Sequence, residues 1–132
     1  MAQQFVVDTS VLVELLRNSS SKAAVLETIV SSYSPESLAI TSIVEFEVLI
    51  GARDKRHFKL LRELLARFVC IPVTPEVCTL VKDWLYLFAL SHRPSLPDLL
   101  IGATAAVHNV PLLTLNTRDF DYLPGLTLVP IT

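Results

Sequence analysis

The sequence predicts an α/β sandwich with a central, mainly parallel sheet flanked by helices, built as a single domain over residues 1–132. Three observations carry this. Short apolar runs alternate with longer segments whose apolar residues recur at helical spacing, the pattern of strands joined by crossover helices. The length suits one hydrophobic core, and no repeat, low-complexity tract or long linker divides it. Acidic residues fall just past apolar runs or at helix starts, and in open α/β sheets ligands bind beyond the carboxyl ends of strands.

Taken in order, Gln4 to Val7 reads as a short buried strand. Thr9 or Ser10 then caps a helix to about Arg17, with Val11, Leu12, Leu15 and Leu16 on its apolar face. The polar run at 18–21 ends it. A second helix reaches about Ser32 with Ala24, Val25, Ile29 and Val30 inward, and Pro35 marks a loop. Leu38 to Ile40 is a strand. Thr41 or Ser42 caps the next helix, which closes near Gly51; Ser42 and Glu45 match a capping box. The basic segment 55–67 carries Phe58, Leu61, Leu64 and Leu65 at helical spacing. Phe68 to Val73 is a strand bounded by Pro72 and Pro75, followed by a long helix from Glu76 to about Ser91. Pro97 suits the first turn of a helix that runs on to His108. Pro111 to Leu115 is a strand, 116–125 a loop and Leu126 to Val129 a last strand.

Composition excludes several classes. The longest strictly apolar run, Trp84 to Leu90, is too short for a membrane span, and the N-terminus lacks a signal-peptide pattern. Cys70 and Cys78 have neither zinc nor redox spacing, so two free, buried thiols in a reducing cytoplasm are expected. The formal net charge of −2 gives no global nucleic-acid footprint. Basic residues nonetheless cluster at Arg53, Lys55, Arg56 and Lys59, which reads either as a solvated helix face or as an RNA-binding stripe. At 52% hydrophobic residues and a mean hydropathy of +0.53, the chain has apolar surface to spare for a partner or a second copy.

The candidate site residues are Asp8, Glu45, Asp98 and Asp119. Carboxylates at the ends of buried segments are costly without a compensating cation, and several converging would repel one another. A hard divalent metal relieves both, so the set predicts one or two Mg²⁺ or Mn²⁺ ions that activate water for attack on a phosphoryl group. No GxSxG, HExxH or GxxxxGK[ST] pattern offers another chemistry. Each acid also has a plain role: Asp8 as a helix cap, Glu45 in a capping box, Asp98 at a helix dipole, Asp119 in a turn, with Asp121 its near rival. Glu47 is expected on the surface. His57, His92 and His108 show no ligand spacing, and Trp84, Tyr86 and Phe88 are expected to pack in the core or a dimer contact.

The blocks VVDTSVLVELL, TSIVEFEVLIGA, SLPDLLIGATAAVHNVPLLT and LNTRDFDYLPGLTLV, in that order over nearly the whole chain, resemble PIN-domain ribonucleases. The likeness is greatest to the VapC toxins of type II toxin–antitoxin pairs. The resemblance implies a PIN-like three-layer sandwich and a metal-dependent endoribonuclease acting on tRNA or ribosomal RNA. It implies Asp8, Glu45 and Asp98 as core metal ligands and Asp119 as the fourth, more variable acid. Thr9, Thr114 and Asn116 match supporting polar positions. The implied partners are a small antitoxin protein and a second copy in a homodimer. The rival expectation is a catalytically silent interaction module on the same fold. A phosphoacceptor domain fits poorly, because no lysine follows the strand that ends at Leu115.

Overall fold

The computed structural model describes residues 4–17 and 38–129. The expected helix and loop at 22–35 lie outside them. Four strands form one parallel sheet in the order β3-β2-β1-β4: β1 (Phe5–Val7), β2 (Leu38–Thr41), β3 (Val69–Ile71) and β4 (Leu112–Leu113). The helices are α1 (Thr9–Arg17), α2 (Ser42–Ile50), α3 (Lys55–Leu65), α4 (Pro75–Phe88) and α5 (Leu96–Val107), with a 3₁₀ turn at Thr117–Asp119. Phe5, Val6 and Val7 are fully buried, as a central strand covered on both faces requires.

The strand order reverses at β1, which pairs with β2 on one side and β4 on the other. A crevice opens at the carboxyl end of such a strand. The backbone binds that end tightly: Val6 N–H donates to Pro111 O at 2.9 Å and Asp8 N–H to Leu113 O at 3.2 Å.

Four elements differ from expectation. The strand expected over Phe68 to Val73 pairs only at Val69–Ile71, and the one over Pro111 to Leu115 only at Leu112–Leu113. The last strand reduces to a single parallel bridge, Leu112 to Leu128, because a two-residue β4 offers so short a template. The helix from Glu76 instead begins at Pro75, capped by Thr74, and its regular part ends at Phe88.

Helix caps set where the functional side chains fall. Thr41, not Ser42, caps α2 by accepting from Val44 N–H at 3.3 Å; the Ser42 hydroxyl lies 3.8 Å from the Cys70 sulfur. Asp54 caps α3 and Ser95 caps α5. On α5 the central Gly102 lets the C-terminal loop approach. A Cβ there would stand 3.4 to 3.5 Å from side-chain carbons of Leu126, Leu123 and Phe120. Trp84 is core, whereas Tyr86, on the same helix, is 87% exposed.

Candidate metal centre and nucleic-acid groove

Asp8 stands at the carboxyl end of β1, 3% exposed. Its Oδ1 accepts from Ser10 Oγ at 2.6 Å and from Val11 N–H at 3.1 Å, so it does cap α1. Its Oδ2 accepts from the hydroxyl of Thr114, which in turn accepts from Asn116 N–H at 2.9 Å. Thr114 is itself buried. A carboxylate held on both oxygens has its orientation fixed before any ligand arrives.

Of the two acids on α2, the exposed Glu47, rather than Glu45, is the one that meets the residue next to Asp8. Thr9, the residue after Asp8, donates its hydroxyl to Glu47 Oε1 at 2.7 Å. Glu45 faces Cys70 instead. That thiol is pushed up first by burial and then by the Glu45 carboxylate, against the lowering bond from Ser42. Val44 and Val48 form the buried stripe of α2, and residues two apart on a helix diverge by about 200°. Glu45 and Glu47 therefore occupy opposite edges of that stripe. In the sheet, β2 lies between β3 and β1, so one edge looks to β3 and Cys70 and the other to β1 and α1. Hydrophobic periodicity treats the two edges alike; only strand order separates them.

Asp98 lies in the first turn of α5, where its N–H donates to Ser95 Oγ at 3.2 Å. It is half-buried, and its carboxyl is held above the usual aspartate range. Burial is the chief cause, followed by the carboxylates of Asp119, Asp8 and Glu47, while the Ser95 bond acts in the opposite sense. Asp119 ends the 3₁₀ turn and is exposed. Asp119 is the first of the carboxylates whose charge acts on Asp98. Tyr122 borders it: burial and then Asp119, Asp98 and Asp121 raise its phenol, and its ring stacks on His92 at 4.0 Å.

Asp8, Glu47, Asp98 and Asp119 thus share one electrostatic field at the carboxyl end of β1. Among the described residues no three acidic, histidine or cysteine side chains close into a coordinating group. The donors are nevertheless all oxygen, and every charge acting on Asp98 is negative. This set fits a hard divalent cation by its chemistry.

A groove of about 630 Å³ includes Glu47 and is otherwise lined by Thr9, Gly51, Arg53 and His57 over an apolar floor of Val13, Val48 and Leu61. A second concavity of about 500 Å³ adjoins it on α3, lined by Arg53, Arg56, His57, Lys59, Asp54 and Glu63. Arg53 and His57 belong to both. Of the four expected basic residues, Lys55 lines neither.

The PIN-domain family profile matches residues 5–126. The chain belongs to the PIN-domain family. Within it, the chain is 31% identical to ribonuclease VapC19 of Mycobacterium tuberculosis over 121 residues, covering 91% of this chain and 94% of that protein. It is 32% identical to ribonuclease VapC of Rickettsia bellii over 136 residues, covering 96% and 95%. Among solved structures, a chain of a toxin–antitoxin complex from Klebsiella pneumoniae superposes with a TM-score of 0.77 at 26% identity, covering 98% of each chain. Its four-stranded parallel sheet flanked by helices matches the PIN-like α/β fold. No helix among its described residues is long and apolar enough to cross a membrane.

Proposed function

We propose that this PIN domain is the endoribonuclease toxin of a toxin–antitoxin pair, hydrolysing RNA phosphodiester bonds with a divalent metal at Asp8, Glu47, Asp98 and Asp119. The observation that carries the reading is the mutual field of these four acids at the strand-order reversal, in a chain akin to proteins named ribonuclease VapC. When bound, Mg²⁺ or Mn²⁺ there supplies Lewis-acid activation of water and offsets charge on the phosphoryl oxygens. The chain's own residues do the rest. Thr114 and Ser10 hold Asp8 in one orientation, and Asn116 N–H fixes Thr114. Thr9 holds Glu47. Asp98, half-buried among other carboxylates, is the acid whose charge gains most from a cation. Arg53, Arg56 and Lys59 bind the RNA backbone along the groove, and water is the nucleophile.

The substrate class is single-stranded or looped RNA, such as exposed regions of tRNA or ribosomal RNA. The protein partner is a small antitoxin, in keeping with the structural relative from a toxin–antitoxin complex. Apolar surface at Ile50, 84% exposed, and at Tyr86 and Leu90, 87% and 83% exposed, supports that partner and a homodimer. Cys70 and Cys78 are free and exposed rather than buried as expected, and free thiols suit the cytoplasm, where the RNA is.

The test is cleavage of total tRNA and ribosomal RNA by the antitoxin-free protein with Mg²⁺, Mn²⁺ or EDTA, beside Asp98→Asn. Products that require metal and vanish in the folded variant are expected. A folded parent protein that cuts neither RNA in either metal would instead support the silent interaction module, which the exposed apolar faces alone would serve.

A further inference from the structure

His57 is held by two backbone contacts. Its own N–H donates to the Asp54 cap at 2.8 Å, and its ring Nδ1 accepts from Arg53 N–H at 3.0 Å. A neutral imidazole that accepts at Nδ1 carries its proton at Nε2. The ring lines both the groove that reaches Thr9 and Glu47 and the adjoining basic concavity. It therefore has one committed nitrogen, one nitrogen with a proton to donate, and a place where the two recesses meet. Arg53, Arg56 and Lys59 surround it with positive charge, against Asp54, which is spent on the cap, and Glu63.

We propose that His57 is a substrate-binding residue that donates from Nε2 to an RNA phosphate and sets the path of the strand from the basic concavity into the acid centre. A spread of surface cations attracts a polyanion without fixing its register; a short, pinned donor fixes one phosphate in place. The proposal rests on the ribonuclease reading and adds to it a residue outside the acid set and the basic stripe.

The two ring nitrogens are separable. His57→Asn keeps an acceptor near the Nδ1 position for Arg53 N–H and deletes Nε2. His57→Gln reaches toward the Nε2 position and loses the Nδ1 acceptor. Each is made in the Asp98→Asn background for binding of a labelled, mixed-sequence single-stranded RNA oligonucleotide, and in the parent background for metal-dependent cleavage. Melting temperatures are read throughout. The expected result is that His57→Asn melts like its parent yet binds about tenfold more weakly, the scale of a hydrogen bond to a charged group. In cleavage, KM rises by a like factor with kcat largely kept. Parent-like affinity in His57→Asn overturns the proposal. So does a loss of affinity in His57→Gln as large as that in His57→Asn, matched in both by a lowered melting temperature. A parent protein that shows no metal-dependent cleavage defeats the ribonuclease reading itself, a failure visible before any His57 variant is compared.

Discussion

Asp8 is at once a helix cap and one of the four acids proposed to hold the metal, and its two oxygens divide the work. Oδ1 serves Ser10 and Val11 N–H; Oδ2 serves Thr114. Glu47 has one hydroxyl partner, Thr9, and Glu45 looks the other way toward Cys70. Glu47→Gln is therefore expected to lower kcat for RNA cleavage about 100-fold or more, at least the upper cost of losing a group that merely supports a metal ligand. Glu45→Gln should leave it within about threefold of the parent, the size of a surface change. Equal losses would mean that both edges of α2 serve the site. Asp98 gives a pH signature. Its carboxyl is raised in the fold by burial and by Asp119, Asp8 and Glu47. A raised carboxyl stabilises the fold fully below its unfolded value, about 3.9, and that contribution is lost as pH rises through the folded value. In EDTA, Asp98→Asn should therefore gain in melting temperature over the parent as pH climbs out of the acid range, then hold that gain. Excess Mg²⁺ or Mn²⁺ should shrink or reverse it, because metal stabilises only the protein that binds it. A difference that ignores both pH and metal would remove the crowding of charge at Asp98.

At the scale of elements, the site depends on how close α5 lets the C-terminal loop come. Asp98 and Gly102 lie one turn apart on the same face of α5, and Phe120 packs on Gly102 directly after Asp119. The bare glycine thus brings Asp119 toward Asp98. Alanine fits at van der Waals distance and gains helix propensity, so Gly102→Ala should hold or raise stability by up to about 1 kcal/mol and keep activity. Gly102→Leu must push Phe120 and Leu123 outward, an overpacking cost of about 1–3 kcal/mol, and should lower cleavage by moving Asp119. Activity in Gly102→Leu equal to the parent at full metal occupancy would show that the loop acid is dispensable. Much of this was legible in the sequence. Asp8 after an apolar strand, Pro97 and Asp98 in a first helical turn, and the alternation of elements all follow from local chemistry. Three things were not legible. The choice between Glu45 and Glu47 hangs on strand order. Strand pairing stops after two residues at β4 although apolar character runs to Leu115. Ser42, apt for a cap, yields to Thr41 because the strand delivers Thr41 in extended geometry at the helix start.

On the whole molecule, a net charge of −2 and an acidic centre work against RNA, so attraction must come from one basic wall. Arg53, Arg56 and Lys59 line the recesses that lead to Glu47, while Lys55, in the same stretch, does not. Phosphates neutralised at the groove release counterions, and for single strands each contributes a slope of about −0.7 in log affinity against log salt. If each of the three cations meets one phosphate, removing all three together should flatten that slope by about 2. Lys55→Gln should leave the slope as it was. Affinities measured on Asp98→Asn protein across a salt series decide the matter without interference from cleavage. A slope unmoved by the triple change would assign the stripe to solvation or to the antitoxin. A slope that falls equally with Lys55→Gln would spread the attraction over the whole of α3 rather than along the groove. The expected asymmetry, three residues that matter and a neighbour that does not, would tie RNA to the recesses that lead to Glu47.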